Sequence, residues 1–327
     1  MGIPDADRFA GCLIGQSLGD ALGFVVEGQP PPVCALYART LLRRGTAFPA
    51  GQYSDDSQLA RELLQSFVAR GRFEPADYAR RIAAIFTEGR IVGRGRATEE
   101  AAHRVAAGVP WEDAGTPAPN AGNGSAMRAG PIGLLFWDAP ARLAEAAHDQ
   151  GRITHADPRC SAGSIAIAGA VALAMRPGPL EPDTFIAELA DWTAAADAGF
   201  ATALRELPAW LRLAPGRAAG EIAKAGREPG TKDRWWGISP FVVPSVLWSL
   251  YAFLRSPEDY PETIRTAIRP GGDVDTTAAM AGAISGARVG LAALPQRPAR
   301  RLHDRGDWGF ERLVALARDC HALVIGA

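Results

Sequence analysis

The chain has 327 residues, with 35 Lys and Arg against 36 Asp and Glu; 47% of its residues are hydrophobic and 8% aromatic. That much apolar material builds a packed core and excludes a disordered chain, and 36 Gly with 25 Pro stay below the share of about 25–30% that marks low complexity. A net charge of −1 supplies no long-range field for nucleic acid or an anionic membrane, so an anionic ligand has to be held by a local device.

Taken in chain order, the segment from Phe9 to Val26 is apolar but interrupted by Gln16 and Asp20, and it lacks a signal-peptide layout. We expect a cytoplasmic protein with no membrane anchor. The run Gly19-Asp20-Ala21-Leu22-Gly23-Phe24-Val25-Val26 ends on Glu27, a carboxylate that is either a surface residue or an acid or base for nearby chemistry. After a break at Gln29–Val33 comes Ser54-Asp55-Asp56-Ser57, directly before an amphipathic helix from about Gln58 that places Leu59, Leu63, Leu64, Phe67 and Val68 on one face. Capping alone accounts for such a pair, with Ser54 or Asp55 as N-cap and Asp56 favoured by the helix dipole; paired metal-binding carboxylates are the other reading.

Gly93-Arg94-Gly95-Arg96 and Gly122-Asn123-Gly124-Ser125-Ala126-Met127 free the backbone ahead of helices. Each is either an ordinary turn or a cradle whose N–H groups hold an anion, and the arginines of the first are either solvated or part of that cradle. His155, in Thr154-His155-Ala156-Asp157, is either a satisfied structural residue or a ligand contact. Ala162–Met175 and Thr277–Leu291 are rich in Ala and Gly on all sides, as central helices packed by neighbours on every face would be. Val246, Leu247, Leu250, Tyr251 and Leu254 mark a further amphipathic helix.

Between these lies Gly271-Gly272-Asp273-Val274-Asp275-Thr276-Thr277. The glycines permit a tight turn, and the alternate spacing of Asp273 and Asp275 can aim both carboxylates at one point. A cap needs one acceptor; this loop supplies two carboxylates and two hydroxyls. Strand-like alternation is nearly absent, so the expected fold is all-α. Further breaks at Gly108–Asn120, Arg176–Asp183, Gly226–Ser239 and Pro295–Arg300 are too short for an interdomain linker, and we expect one domain over 1–327 and a monomer. Four cysteines, at 12, 34, 160 and 320, show no CxxC spacing and are expected to be small buried apolar residues.

If the two aspartate sites converge, four carboxylates share a small volume. Two like charges 4 Å apart repel by roughly 4 kcal/mol at an effective dielectric near 20, so the cluster requires cations. Hard oxygen ligands suit Mg²⁺, Mn²⁺ or Ca²⁺, and a two-ion centre is the natural hypothesis.

Together, GCLIGQSLGDALG with Glu27, SDDSQLA, GRGRAT, GNGSAMRAGP, THADPRCSAGSIAIAGA and GGDVDTTAAMAGAISGA stand in the order and approximate spacing of one family. Over about residues 9–290 the chain resembles the ADP-ribosylglycohydrolases, the dinitrogenase-reductase-activating type of ADP-ribosyl hydrolase. That resemblance implies a compact single-domain orthogonal helical bundle holding two Mg²⁺ or Mn²⁺ ions, which cleaves the glycosidic bond at the distal ribose of an ADP-ribosyl group. It implies metal ligation by Ser54, Asp55, Asp56, Asp273, Asp275 and Thr276. Gly93, Gly95, Asn120, Asn123, Gly124, Ser125, Met127 and His155 are implied as substrate contacts, and Glu27, Asp56 and Asp275 as the groups that move protons. The implied partner is an ADP-ribosylated protein or a small-molecule ADP-ribose conjugate; a nucleic-acid conjugate is compatible but not indicated. Three departures stand out. Ser54 replaces the usual threonine, Pro119-Asn120-Ala121 lacks the aromatic that some relatives place before GNG, and Arg94 and Arg96 stand where arginine-specific members would keep a carboxylate.

Overall fold

A computed structural model describes residues 4–42, 51–228 and 234–326. In chain order the helices are α1 Ala6–Gly23, α2 Pro31–Thr40, α3 Asp55–Arg70, α4 Pro75–Thr87, α5 Arg96–Ala106, α6 Gly130–Leu135, α7 Pro140–Arg152, α8 Pro158–Ala174 and α9 Pro182–Thr193. They continue as α10 Ala198–Arg205, α11 Leu207–Leu211, α12 Pro215–Ile222, α13 Val242–Arg255, α14 Tyr260–Ile268, α15 Val274–Val289, α16 Gln296–Ala299 and α17 Phe310–Gly326. Among the described residues β pairing is limited to isolated bridges, such as Thr116 with His155 and Ile238 with Gly272. The fold is all-α. Proline opens many of these helices, as at Pro75, Pro140, Pro158 and Pro182, where its missing N–H is not needed and its fixed φ suits the first turn.

The centre is the antiparallel pair α1 and α15. Glycines recur every fourth residue on α1, at 11, 15, 19 and 23, and so share one face. They meet Gly286, Gly282, Ala278 and Asp275 of α15 in reverse order. A Cβ at Gly15 would lie 2.4 Å from the Gly282 carbonyl oxygen, and one at Gly19 2.1 Å from that of Ala278, so the two backbones touch with no side chain between them. Both helices are buried around most of their circumference, and α3, α8, α13, α14 and α17 pack around them. The segment Ala6–Val26 is long and apolar enough to cross a membrane, yet 89% of that window is buried inside the protein, where it forms the core helix.

The small-residue stretches called from sequence correspond to α8 and α15, and the four cysteines are free and buried. Two boundaries differ. The helix expected from about Gln58 begins at Asp55, because Ser54 takes the N-cap position and accepts from the Asp56 N–H. α15 begins at Val274 rather than Thr277, so Asp275 and Thr276 fall within its first turn. Each aspartate motif thus sits on a helix N-terminus rather than in a loop ahead of one.

Candidate metal centre

The close packing of α1 on α15 brings the second aspartate motif up to the C-terminal end of α1, and α3 approaches the same place. The two motifs meet: the Thr276 hydroxyl donates to Asp56 Oδ2 at 3.5 Å across 220 residues of sequence. Ser54 Oγ donates to the same oxygen at 3.0 Å. Asp55, Asp56, Asp273, Asp275 and Thr276 line a cavity of about 350 Å³ with Glu27 and Asn123. Carboxylate oxygens of Glu27, Asp273 and Asp275 lie within 4.8 Å of one another.

Each ligand candidate is held from behind. Asn123 Nδ2 donates to Asp273 Oδ2 at 2.5 Å and to Ser245 Oγ at 2.9 Å, while its own N–H is fixed by the Pro240 carbonyl. Asp275 Oδ1 accepts from the Thr276 N–H at 2.9 Å. Gly271 and Gly272 both have positive φ, at 73° and 92°, and a Cβ on either would strike neighbouring backbone; no other residue type fits the turn without strain. The Glu27 corner is clipped to it, since Gly28 N–H donates to Gly272 O and Gly272 N–H to Gln29 O. Gly93, with φ of 79°, lies directly over Asp55: a Cβ there would be 2.7 Å from Asp55 Oδ1.

Asp20 and Gln16 complete the support, and neither was singled out from sequence. Asp20 is fully buried on α1 and receives the Ser54 N–H at 2.9 Å, the Ser57 N–H at 3.1 Å and the Ser57 hydroxyl at 2.6 Å, fixing the entry into α3. Gln16 Nε2 donates to the Asp56 and Met127 carbonyls. The signal was present: a Gln and an Asp one helical turn apart on an otherwise apolar, glycine-striped helix have to meet polar partners inside.

Burial pushes every one of these carboxyls up. Asp20 rises to about 6 and Asp55 to about 7, the latter helped by repulsion from Asp20. Asp56 and Asp275 rise well above the ordinary value through burial and then the charge of neighbouring aspartates, and Asp273 through burial. Glu27 is raised by partial burial and by Asp273. Asp56 Oδ1 is buried with no hydrogen-bond partner among the described residues. An orphaned carboxylate oxygen among several others, with hydroxyls beside it, is the donor chemistry that fits hard divalent cations.

The substrate candidates divide. Gly93, Gly95, Asn123 and Met127 line the cavity, together with Phe24, Arg94, Arg96, Trp235 and Pro240. Asn120 is exposed away from it. Ser125 is buried and donates to the Cys160 carbonyl. His155 lies beneath the Gly122–Gly124 loop, where a Cβ on Gly124 would sit 2.7 Å from its Cε1; Nδ1 is 2.8 Å from the Thr154 hydroxyl. Burial and the Arg128 charge hold its pKa down at about 3, so the ring stays neutral and shapes the loop from below.

An all-α body that closes several buried aspartates around one cavity defines a class: a helical protein with a candidate divalent-metal centre. The family follows from comparison. The sequence pattern of the ADP-ribosylglycohydrolases matches residues 1–326, and the chain belongs to that family. It is 31% identical to "ADP-ribosylhydrolase ARH3" of Gallus gallus, covering 89% of this chain and 88% of that one. It is 22% identical to "ADP-ribosyl-[dinitrogen reductase] glycohydrolase" of Rhodospirillum rubrum, over 88% of each chain. A solved structure titled "ADP-ribosylglycohydrolase-related protein complex" superposes with a TM-score of 0.69 at 29% identity, covering 98% of both chains.

Proposed function

We propose that this protein hydrolyses the glycosidic bond between the distal ribose of ADP-ribose and an acceptor, with two Mg²⁺ or Mn²⁺ ions bound in the aspartate cavity. The observation that carries the reading is the contact between Asp56 and Thr276, which joins two motifs remote in sequence on one cavity floor. Ser54, Asp55 and Asp56 would hold one side of the metal centre, and Asp273, Asp275 and Thr276 the other. Bound there, the ions supply Lewis acidity toward the ribose hydroxyls and the attacking water.

The remaining chemistry falls to the protein's own groups. Departure of the acceptor builds positive charge at the anomeric carbon, which the carboxylate-lined floor tolerates. Glu27 is exposed at the cavity mouth beside Asp273 and Asp275, so it can reach both substrate and solvent. Its raised pKa suits a group that takes a proton from water and returns one to a leaving acceptor. Asp56 and Asp275 are the other proton-carrying candidates. Met127 and Phe24 give the cavity apolar wall, which limits competing water.

The deciding experiment measures release of ADP-ribose from ADP-ribosyl-arginine, ADP-ribosyl-serine and O-acetyl-ADP-ribose, with Mg²⁺, Mn²⁺ or EDTA present. Turnover of at least one conjugate that EDTA abolishes is the expected outcome. Metal binding without turnover of any conjugate would remove the hydrolase reading.

A further inference from the structure

An ADP-ribosyl ligand carries a diphosphate, yet the cavity that would receive it is floored by Asp55, Asp56, Asp273 and Asp275, with Glu27 at its mouth. Even with divalent ions bound to those aspartates, cations near that mouth would add to the attraction for such an anion. Among the described residues lining the cavity, the cationic ones are Arg94 and Arg96.

Their loop is fixed at its base. Gly93 lies against Asp55, and the Val92 N–H is held by Gln58 Oε1 at 2.7 Å. The backbone beneath both arginines is thus tied to the metal side of the cavity, while their side chains remain 60% and 92% exposed. Each guanidinium rests on a glutamate of α5: Arg94 on Glu99 at 3.0 Å and Arg96 on Glu100 at 2.8 Å. Exposed pairs of this kind are weak and exchangeable. A diphosphate offers several anionic oxygens in the fork geometry that a guanidinium prefers, and so competes well for both groups.

Resting on the hydrolase reading above, we propose that Arg94 and Arg96 leave Glu99 and Glu100 to clasp the diphosphate of the ADP-ribosyl ligand, setting affinity rather than the rate of bond cleavage. Their contribution is to affinity, through charge and the fork of the guanidinium.

The test uses the full chain loaded with Mg²⁺, calorimetry with ADP-ribose as the probe, and steady-state kinetics on whichever conjugate the native protein cleaves. In the double variant R94Q/R96Q, the Kd for ADP-ribose and the KM should each rise about tenfold or more, with kcat within about twofold of native and Mg²⁺ binding unchanged. R94K/R96K should recover part of the affinity, the part owed to charge and not to the guanidinium fork, which a purely structural role would not predict. The dependence of log affinity on log salt should be shallower in R94Q/R96Q than in the native chain. Native-like ADP-ribose affinity in R94Q/R96Q overturns the proposal and leaves the hydrolase reading intact. A native chain that binds ADP-ribose but cleaves no conjugate overturns the hydrolase reading alone, and one that does not bind ADP-ribose overturns the clasp.

Discussion

At the scale of single residues, the centre depends on carboxylates that no ion pair among the described residues neutralises. Asp55 and Asp275 come from different helices, and removing either takes away an oxygen donor that hydroxyls cannot replace. Asp55→Ala and Asp275→Ala are each expected to weaken Mg²⁺ binding and turnover by about a hundredfold or more, as read by calorimetry and ADP-ribose release. Undiminished metal binding in either would place the ions elsewhere. Glu27 stands apart because it is exposed: Glu27→Gln should lower kcat by about 10²–10⁴-fold while ADP-ribose affinity holds, and an enzyme of native activity would exclude Glu27 from proton transfer. Asp20 acts through Ser54 and Ser57. Asp20→Ala leaves three buried donors without their acceptor, an expected loss of about 2–4 kcal/mol in chemical denaturation, accompanied by weaker Mg²⁺ binding.

Helix pairing decides whether those residues meet. The glycine face of α1 lets α15 approach until backbone touches backbone, and that contact sets the distance between the Asp20 end of α1 and the Asp273 end of α15. At Gly15 an added Cβ would lie 2.4 Å from a carbonyl oxygen and 3.0 Å from Gly286 Cα, neither of which can swing aside as a side chain tip would. Gly15→Ala is therefore expected to destabilise the fold by about 3 kcal/mol or more in urea or thermal unfolding. Its Mg²⁺ affinity should fall as well, because the helices must separate. A variant of native stability would show that the pair has slack. This is also where sequence reading stopped short. The periodic stripes of α3 and α13 are visible because an amphipathic helix shows its buried face as a pattern. α1 and α15 are buried around most of their surface and carry no such pattern; what distinguishes α1 is a glycine at every fourth position, met on α15 by Gly286, Gly282 and Ala278, a mark of close helix contact rather than of polarity.

For the molecule as a whole, the clustered acids couple folding to pH and metal. Asp20 and Asp55 have folded-state pKa values of about 6 and about 7, above the ordinary aspartate value of 3.8. The folded metal-free protein therefore holds protons that the unfolded chain has released. The stability this contributes is complete below about pH 4 and is lost as pH rises through about 6 and 7; for Asp20 alone it is on the order of 3 kcal/mol. The metal-free chain should accordingly show a Tm that falls between pH 5 and pH 8. Mg²⁺ should raise Tm more at pH 8 than at pH 5, since it competes with protons for the same oxygens. A metal-free Tm that rises with pH across this window would mean that the cluster is not strained by its own charge.

The sequence by itself determined the helical class, the two aspartate motifs and the glycine turn at 271–272, because caps, turns and helical periodicity are local properties encoded within a few neighbouring residues. Net charge near zero was equally legible, and it placed the burden of holding an anion on local groups. Only the tertiary structure decided that Asp56 and Thr276 touch, that Asp20 and Gln16 support them from α1, and that His155 lies beneath its loop instead of in the cavity. Those facts depend on how closely α1, α3 and α15 approach, and that distance is set by packing between segments hundreds of residues apart. Arg94 and Arg96, which look like ordinary solvated cations in the chain, gain their place in the lining of the aspartate cavity for the same reason.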